Sequence, residues 1–157
     1  MATTTASLTI ASSDLVGDAL SLSASSTLYK AGTTTGLEQA TGLTKTYLTA
    51  VTPIDLFGTI LPSGSTGNVS AHEGKSHWIY ISNKSEDETE WATVTIGDKV
   101  IGRLYAGDFM WMPWDQATDT LDGATKHADI ELAPSVATGM WFEYCMIHEG
   151  MKLPESV

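Results

Sequence analysis

With 157 residues the chain is long enough for one domain, or one domain and an arm, burying about two-thirds of the surface its unfolded form exposes. Its 19 acidic and 8 basic side chains leave a net charge of −11, which repels phosphate backbones and anionic lipid, so neither nucleic acid nor membrane is expected as a partner. A single cysteine, Cys145, excludes an internal disulfide framework and a cysteine-built zinc cluster, and no apolar run approaches the ~18 residues of a membrane span.

No basic segment followed by an apolar run opens the chain, so no signal peptide is expected. Thr and Ser dominate residues 1–50, where charges are few and the aromatics are Tyr29 and Tyr47. In "SLTIASS" Leu8 and Ile10 alternate with Ser7 and Thr9, and in "ALSLSASSTLY" Leu20 and Leu22 alternate with Ser21 and Ser23. A period of two residues predicts half-buried strand, so this region is expected as an extended arm, a hairpin or small β region, or else as part of the same sandwich. Pro53, Pro62, Gly64 and Gly67 punctuate the following stretch, predicting a linker over 51–70. A compact β-sandwich domain is then expected over 71–157.

Within that domain "SHWIYISN" places Trp78 and Tyr80 on one face of a strand and His77, Ile79 and Ile81 on the other. "WATVTIGDKVIGRLY" predicts a hairpin, with Ala92, Val94 and Ile96 facing one way and Gly97-Asp98 as a two-residue turn of type II′. "AGDF", residues 106–109, marks another reversal, and "HADIELAPS" alternates Ile130 and Leu132 with Asp129 and Glu131. No helical period persists beyond two turns. Short strands separated by turns predict an all-β fold, an antiparallel β-sandwich or jelly-roll-like domain behind its Thr/Ser-rich arm.

Chemistry is sparse along this chain. "EGKS", residues 73–76, lacks the glycine a phosphate loop needs, since Val69 stands there, and it runs into strand instead of helix. The histidines at 72, 77, 127 and 148 show no zinc-ligand spacing. The aspartates of "DQATDTLDG", residues 115–123, are misplaced for an alternating calcium loop, although a loop of another shape could take the ion. "SEDETE", residues 85–90, is expected as a solvated hairpin tip, and no nucleophile elbow occurs. No catalytic residue, cofactor or metal ligand is assigned, and the chain is expected not to be an enzyme.

Two ribbons stand out instead. In "FMWMPW" Phe109, Trp111 and Pro113 share one side and Met110, Met112 and Trp114 the other; in the last strand Met140, Phe142, Tyr144 and Met146 oppose Trp141, Cys145 and Ile147. Each buried Trp or Phe removes roughly 150–250 Å² from water, so a ribbon apolar on both sides needs a second dry surface besides the core. A subunit interface, where Trp, Tyr, Phe and Met are enriched, is the expected use. Its candidate residues are Phe109, Met110, Trp111, Met112, Trp114, Trp141, Phe142 and Tyr144.

The opening "LTIASSDLVGDALSLSASSTLYKAGTTTGL" and the closing "VTIGDKVIGRLYAGDFMWMPWD…ADIELAPSVATGMWFEYCMIHEG" resemble small virion structural proteins of tailed bacteriophages, capsid decoration (cement) proteins first among them. The likeness covers most of the chain but is one of style, without a diagnostic motif. It implies a non-enzymatic protein, often a homotrimer, assembled in the bacterial cytoplasm. Such a protein sits on the outer capsid surface, with itself and the major capsid protein as partners, and residues 1–50 would help grip neighbouring capsid subunits. A tail or fibre component, or a carbohydrate-binding β-sandwich module, is the alternative.

Overall fold

The computed structural model describes residues 3–13, 20–30, 32–59, 70–71, 77–97, 99–114, 118–119, 126–127 and 129–149, and every regular element among them is a strand. In chain order these are β1 (Thr4–Ser12), β2 (Leu20–Leu28), β3 (Gln39–Ala40), β4 (Thr44–Leu48), β5 (Ile54–Thr59), β6 (Ser70–Ala71) and β7 (His77–Asn83). They continue with β8 (Trp91–Ile96), β9 (Lys99–Tyr105), β10 (Phe109–Trp114), β11 (Thr118–Asp119), β12 (Lys126–His127), β13 (Ile130–Pro134) and β14 (Met140–His148).

The pairing builds two main sheets. In the first the order is β10–β7–β14–β4, with the short β3 also bonded to β14; in the second it is β9–β8–β13–β5, with β6 added in parallel outside β5. The connections β4 to β5, β7 to β8, β9 to β10 and β13 to β14 each cross from one sheet to the other. That is the strand order of an antiparallel jelly roll.

The alternation read from the sequence decides what lies between the layers. Ile79, Ile81, Met140, Phe142, Tyr144, Met146 and Trp114 from the first sheet meet Leu56, Ala92, Val94, Leu104, Ile130 and Leu132 from the second in one core. The buried Asn83 side chain donates to the Leu104 carbonyl (3.0 Å) and accepts the Ser85 N–H (3.0 Å), while its main chain pairs with Asp108 and Gly107. It thus bolts the end of β7 to the turn at which β9 becomes β10.

The pairing moves the expected boundaries. β3 and β4 belong to the first sheet and β5 to the second, with Leu48 and Leu56 buried in the shared core. The sheet system therefore begins at Gln39, and the linker expected over 51–70 contains a strand. Composition misled because an edge strand such as Thr44–Leu48 needs only one apolar side, and Pro53 marks a crossover between sheets instead of a domain border.

What stands apart is the β1–β2 hairpin, paired in register from Thr4 with Leu28 to Ser12 with Leu20. Its root is fixed. Leu28 and Leu37 are buried, the Leu37 N–H donates to the Leu28 carbonyl (2.9 Å), and the Thr4 hydroxyl donates to the Leu37 carbonyl (3.0 Å). Beyond the root both faces are open: Leu8, Ile10, Leu20 and Leu22 are each more than 40% exposed.

Candidate assembly surface

The two outer faces of the sandwich differ. On the second sheet Thr93, Thr95, Glu131 and Arg103 face outward, with the Arg103 guanidinium 3.8 Å above the Trp91 ring. The edge strand β9 also exposes Val100, Ile101 and Tyr105, so polar and apolar side chains are mixed on this sheet. On the first sheet the register lines up Pro113, Trp78 and Ile147 in one row and Trp111, Tyr80 and Cys145 in the next, with Phe109 at the edge beyond them. Trp78 and Trp111 stack at 5.3 Å between ring centroids, and Tyr80 meets Phe109 at 6.3 Å. Burial raises the pKa of the Cys145 thiol, so it stays protonated at neutral pH and acts as a small apolar group.

Charge appears only toward the other end of this face. Glu143 binds Lys45 (3.1 Å) and Lys84 (3.4 Å), and those contacts hold its carboxyl below the usual range, Lys45 contributing most. Beside it Trp141 and Tyr47 pack at 4.7 Å. The Tyr47 hydroxyl donates to the Thr138 carbonyl (3.1 Å), and the ring occupies the space a Cβ at Gly139 would need. With φ at +109° as well, position 139 is restricted to glycine.

Over the aromatic rows hangs the root half of the β1–β2 hairpin. A groove of about 620 Å³ separates them, walled on one side by Trp78, Tyr80, Phe109 and Trp111 and on the other by small residues, among them Ala6, Ser7, Ala24 and Ser25. The hairpin is two-faced. Register places Ala6, Leu8, Ile10, Leu20, Leu22, Ala24 and Leu28 on one side, and Thr5, Ser7, Thr9, Ser21, Ser23, Ser25 and Thr27 on the other.

The residues expected at an interface divide accordingly. Phe109 (59% exposed) and Trp141 (50%) are surface side chains, and Trp111 is half-buried in the groove. Trp114, Phe142 and Tyr144 are core residues, and Met110 and Met112 pack against that core, so these five do not form a surface. The physical reason is strand alternation: the expectation took both sides of each ribbon, yet one side of each must close the sandwich. Trp78 and Tyr80 were missed, although "HWIYI" carried the same two-sided apolar signal.

Of the other sites weighed, "EGKS" and His72 lie outside the described residues, as do Asp115 and Asp122 of the 115–123 loop. "SEDETE" is a solvent loop in which Asp87 accepts the Thr89 N–H (2.9 Å) and the Thr89 hydroxyl. The Gly97-Asp98 connection does join β8 to β9 with Gly97 at positive φ, while its turn type depends on Asp98, outside the described residues. His77 and His148 are buried side by side, 6.4 Å between centroids. Among the described residues no group of three or more His, Cys, Asp or Glu is placed to hold a metal ion, and no helix is long and apolar enough to cross a membrane.

Compared with family models, with curated proteins and with solved structures, the chain matches none. Geometry alone therefore supports the functional reading.

Proposed function

We propose that this chain is a virion structural protein of a tailed bacteriophage: a non-enzymatic capsid decoration (cement) protein. Assembled in the host cytoplasm, it sits on the outer capsid surface as a homo-oligomer, with three copies as the working number, and reinforces contacts between subunits of the major capsid protein. The observation that carries this reading is the β1–β2 hairpin, whose strands hold no charged side chain and whose aliphatic side is left open to solvent beside an aromatic sheet face. Open apolar surface of this kind marks a protein–protein contact. Jelly rolls serve in viral capsid and lectin domains alike, so the architecture is compatible with this use without selecting it.

The test is to mix the purified protein with capsids stripped of accessory proteins and to weigh the product. Stoichiometric mass gain and a higher temperature of shell rupture support the proposal; no binding to empty shells ends it. Binding to purified tails instead would assign a tail or fibre role. A carbohydrate-binding module would give tryptophan quenching by an oligosaccharide, but the groove lining includes no Asp, Asn or Arg of the kind that hydrogen-bonds sugar hydroxyls.

A further inference from the structure

We infer that the groove is a socket for the arm of a second copy: the outer half of one protomer's β1–β2 hairpin inserts between the aromatic rows and the hairpin root of its neighbour. This deepens the decoration reading by naming the surface through which copies join.

Chemistry on both sides of the groove fits such an occupant. One wall is aromatic, formed by Trp78, Tyr80, Phe109 and Trp111; the other mixes small and hydroxyl-bearing residues such as Ala6, Ser7, Ala24 and Ser25 with Leu8 and Leu28. The arm has the same division, with Ile10, Leu20 and Leu22 on one side and Thr9, Ser21 and Ser23 on the other. Inserted with its aliphatic side on the rings, it covers Ile10, Leu20 and Leu22 and turns its hydroxyls toward a wall that includes Ser7, Thr9 and Ser25.

A protomer cannot fill its own groove. The bonds among Thr4, Leu28 and Leu37 fix the root, and with it Ala6, Leu8, Ala24, Ser26 and Leu28 above the rings, which leaves the groove open at about 620 Å³. Ile10, Leu20 and Leu22, which could reach, lie beyond the groove lining and are 41%, 45% and 45% exposed.

Charge favours another copy as occupant. Neither β1 nor β2 contains an Asp, Glu, Lys or Arg, and none lines the groove. Two molecules of net charge −11 repel, so they can approach only through neutral surface, and this is where it lies.

The area is sufficient as well. The outer half of a nine-residue ribbon is about 15 Å long and two strands are about 10 Å wide, so its two faces together give roughly 300 Å². When each copy gives an arm and offers a socket, on the order of 600 Å² is covered per copy and about 1,200 Å² in a reciprocal pair, the threshold of a specific interface.

The experiment uses full-length chains and sedimentation velocity. An arm variant carries Ile10→Ser, Leu20→Ser and Leu22→Ser; a socket variant carries Phe109→Ser and Trp111→Ser; circular dichroism checks that both fold. Wild type is expected to sediment as a multiple of 16.7 kDa at roughly 50 µM, and each variant alone as a monomer, with association weakened on the order of 30-fold or more. Mixing the two variants should restore association, because the intact arms of one population meet the intact sockets of the other. Should the socket variant not fold, the arm variant still decides, since loss of the arm should red-shift the tryptophan emission that wild type shows when assembled.

A wild-type monomer at roughly 100 µM, or an arm variant that assembles like wild type, overturns the proposal. Shell binding plays no part in this readout. A decoration protein can bind a shell as a monomer, so the failure of arm exchange and the failure of the decoration reading remain distinguishable.

Discussion

Glu143 shows how a single side chain holds the first sheet. It lies on the outer face in one row with Ser82 and Lys45, and its bonds to Lys45 on β4 and to Lys84 beyond β7 tie three chain segments together. Those cations hold its carboxyl below the ordinary glutamate value of 4.5. A depressed carboxylate stabilises the fold above its unfolded pKa, and that contribution is lost as pH falls from there through the folded value. Wild type should therefore lose stability on acidification below about pH 4.5 by more than Glu143→Gln does. Urea midpoints for the two chains at pH 7 and pH 3.5 check this, and parallel losses would show the bridge contributes nothing.

At the scale of elements the hairpin and the sandwich should behave as separate units. Amides of β1 and β2 beyond the root are expected to exchange fastest in dilute solution and to slow by roughly tenfold or more at concentrations where the chain assembles, while β7 and β14 stay protected throughout. Hydrogen exchange at two concentrations reads this directly; a hairpin equally open in both would mean that it meets no partner. The same split explains what the sequence could tell. "SLTIASS", "HWIYI" and "FMWMPW" announce their strands because one side of each is continuously apolar, whether or not that side is covered in the protomer. "TKTYL" and "IDLFGT" do not, because edge strands tolerate Thr and Lys and the prolines nearby imitate a linker. The candidate surface was half legible: Phe109, Trp111 and Trp141 could be found by excess apolar content. Telling them from Trp114, Phe142 and Tyr144 required knowing which side of each ribbon faces the opposite sheet.

At the scale of the whole molecule, the protein exposes 9890 Å², against roughly 7,600 Å² for a compact monomer of 16.7 kDa. The hairpin, open on both faces, accounts for part of the excess. On the arm-exchange proposal copies carrying −11 each join through neutral surface, so association should strengthen as salt rises from about 20 to about 200 mM and screens their repulsion. Sedimentation equilibrium at the two ionic strengths checks the sign, and weakening by salt would point to a charge-driven contact elsewhere. The strand order has one more consequence. β13 sits between β5 and β8, and β14 between β4 and β7, so the last strands of the described chain are the keystones of both layers. Neither layer can close before β13 and β14 are made, so the arm, synthesised ahead of them, has no body to project from until then.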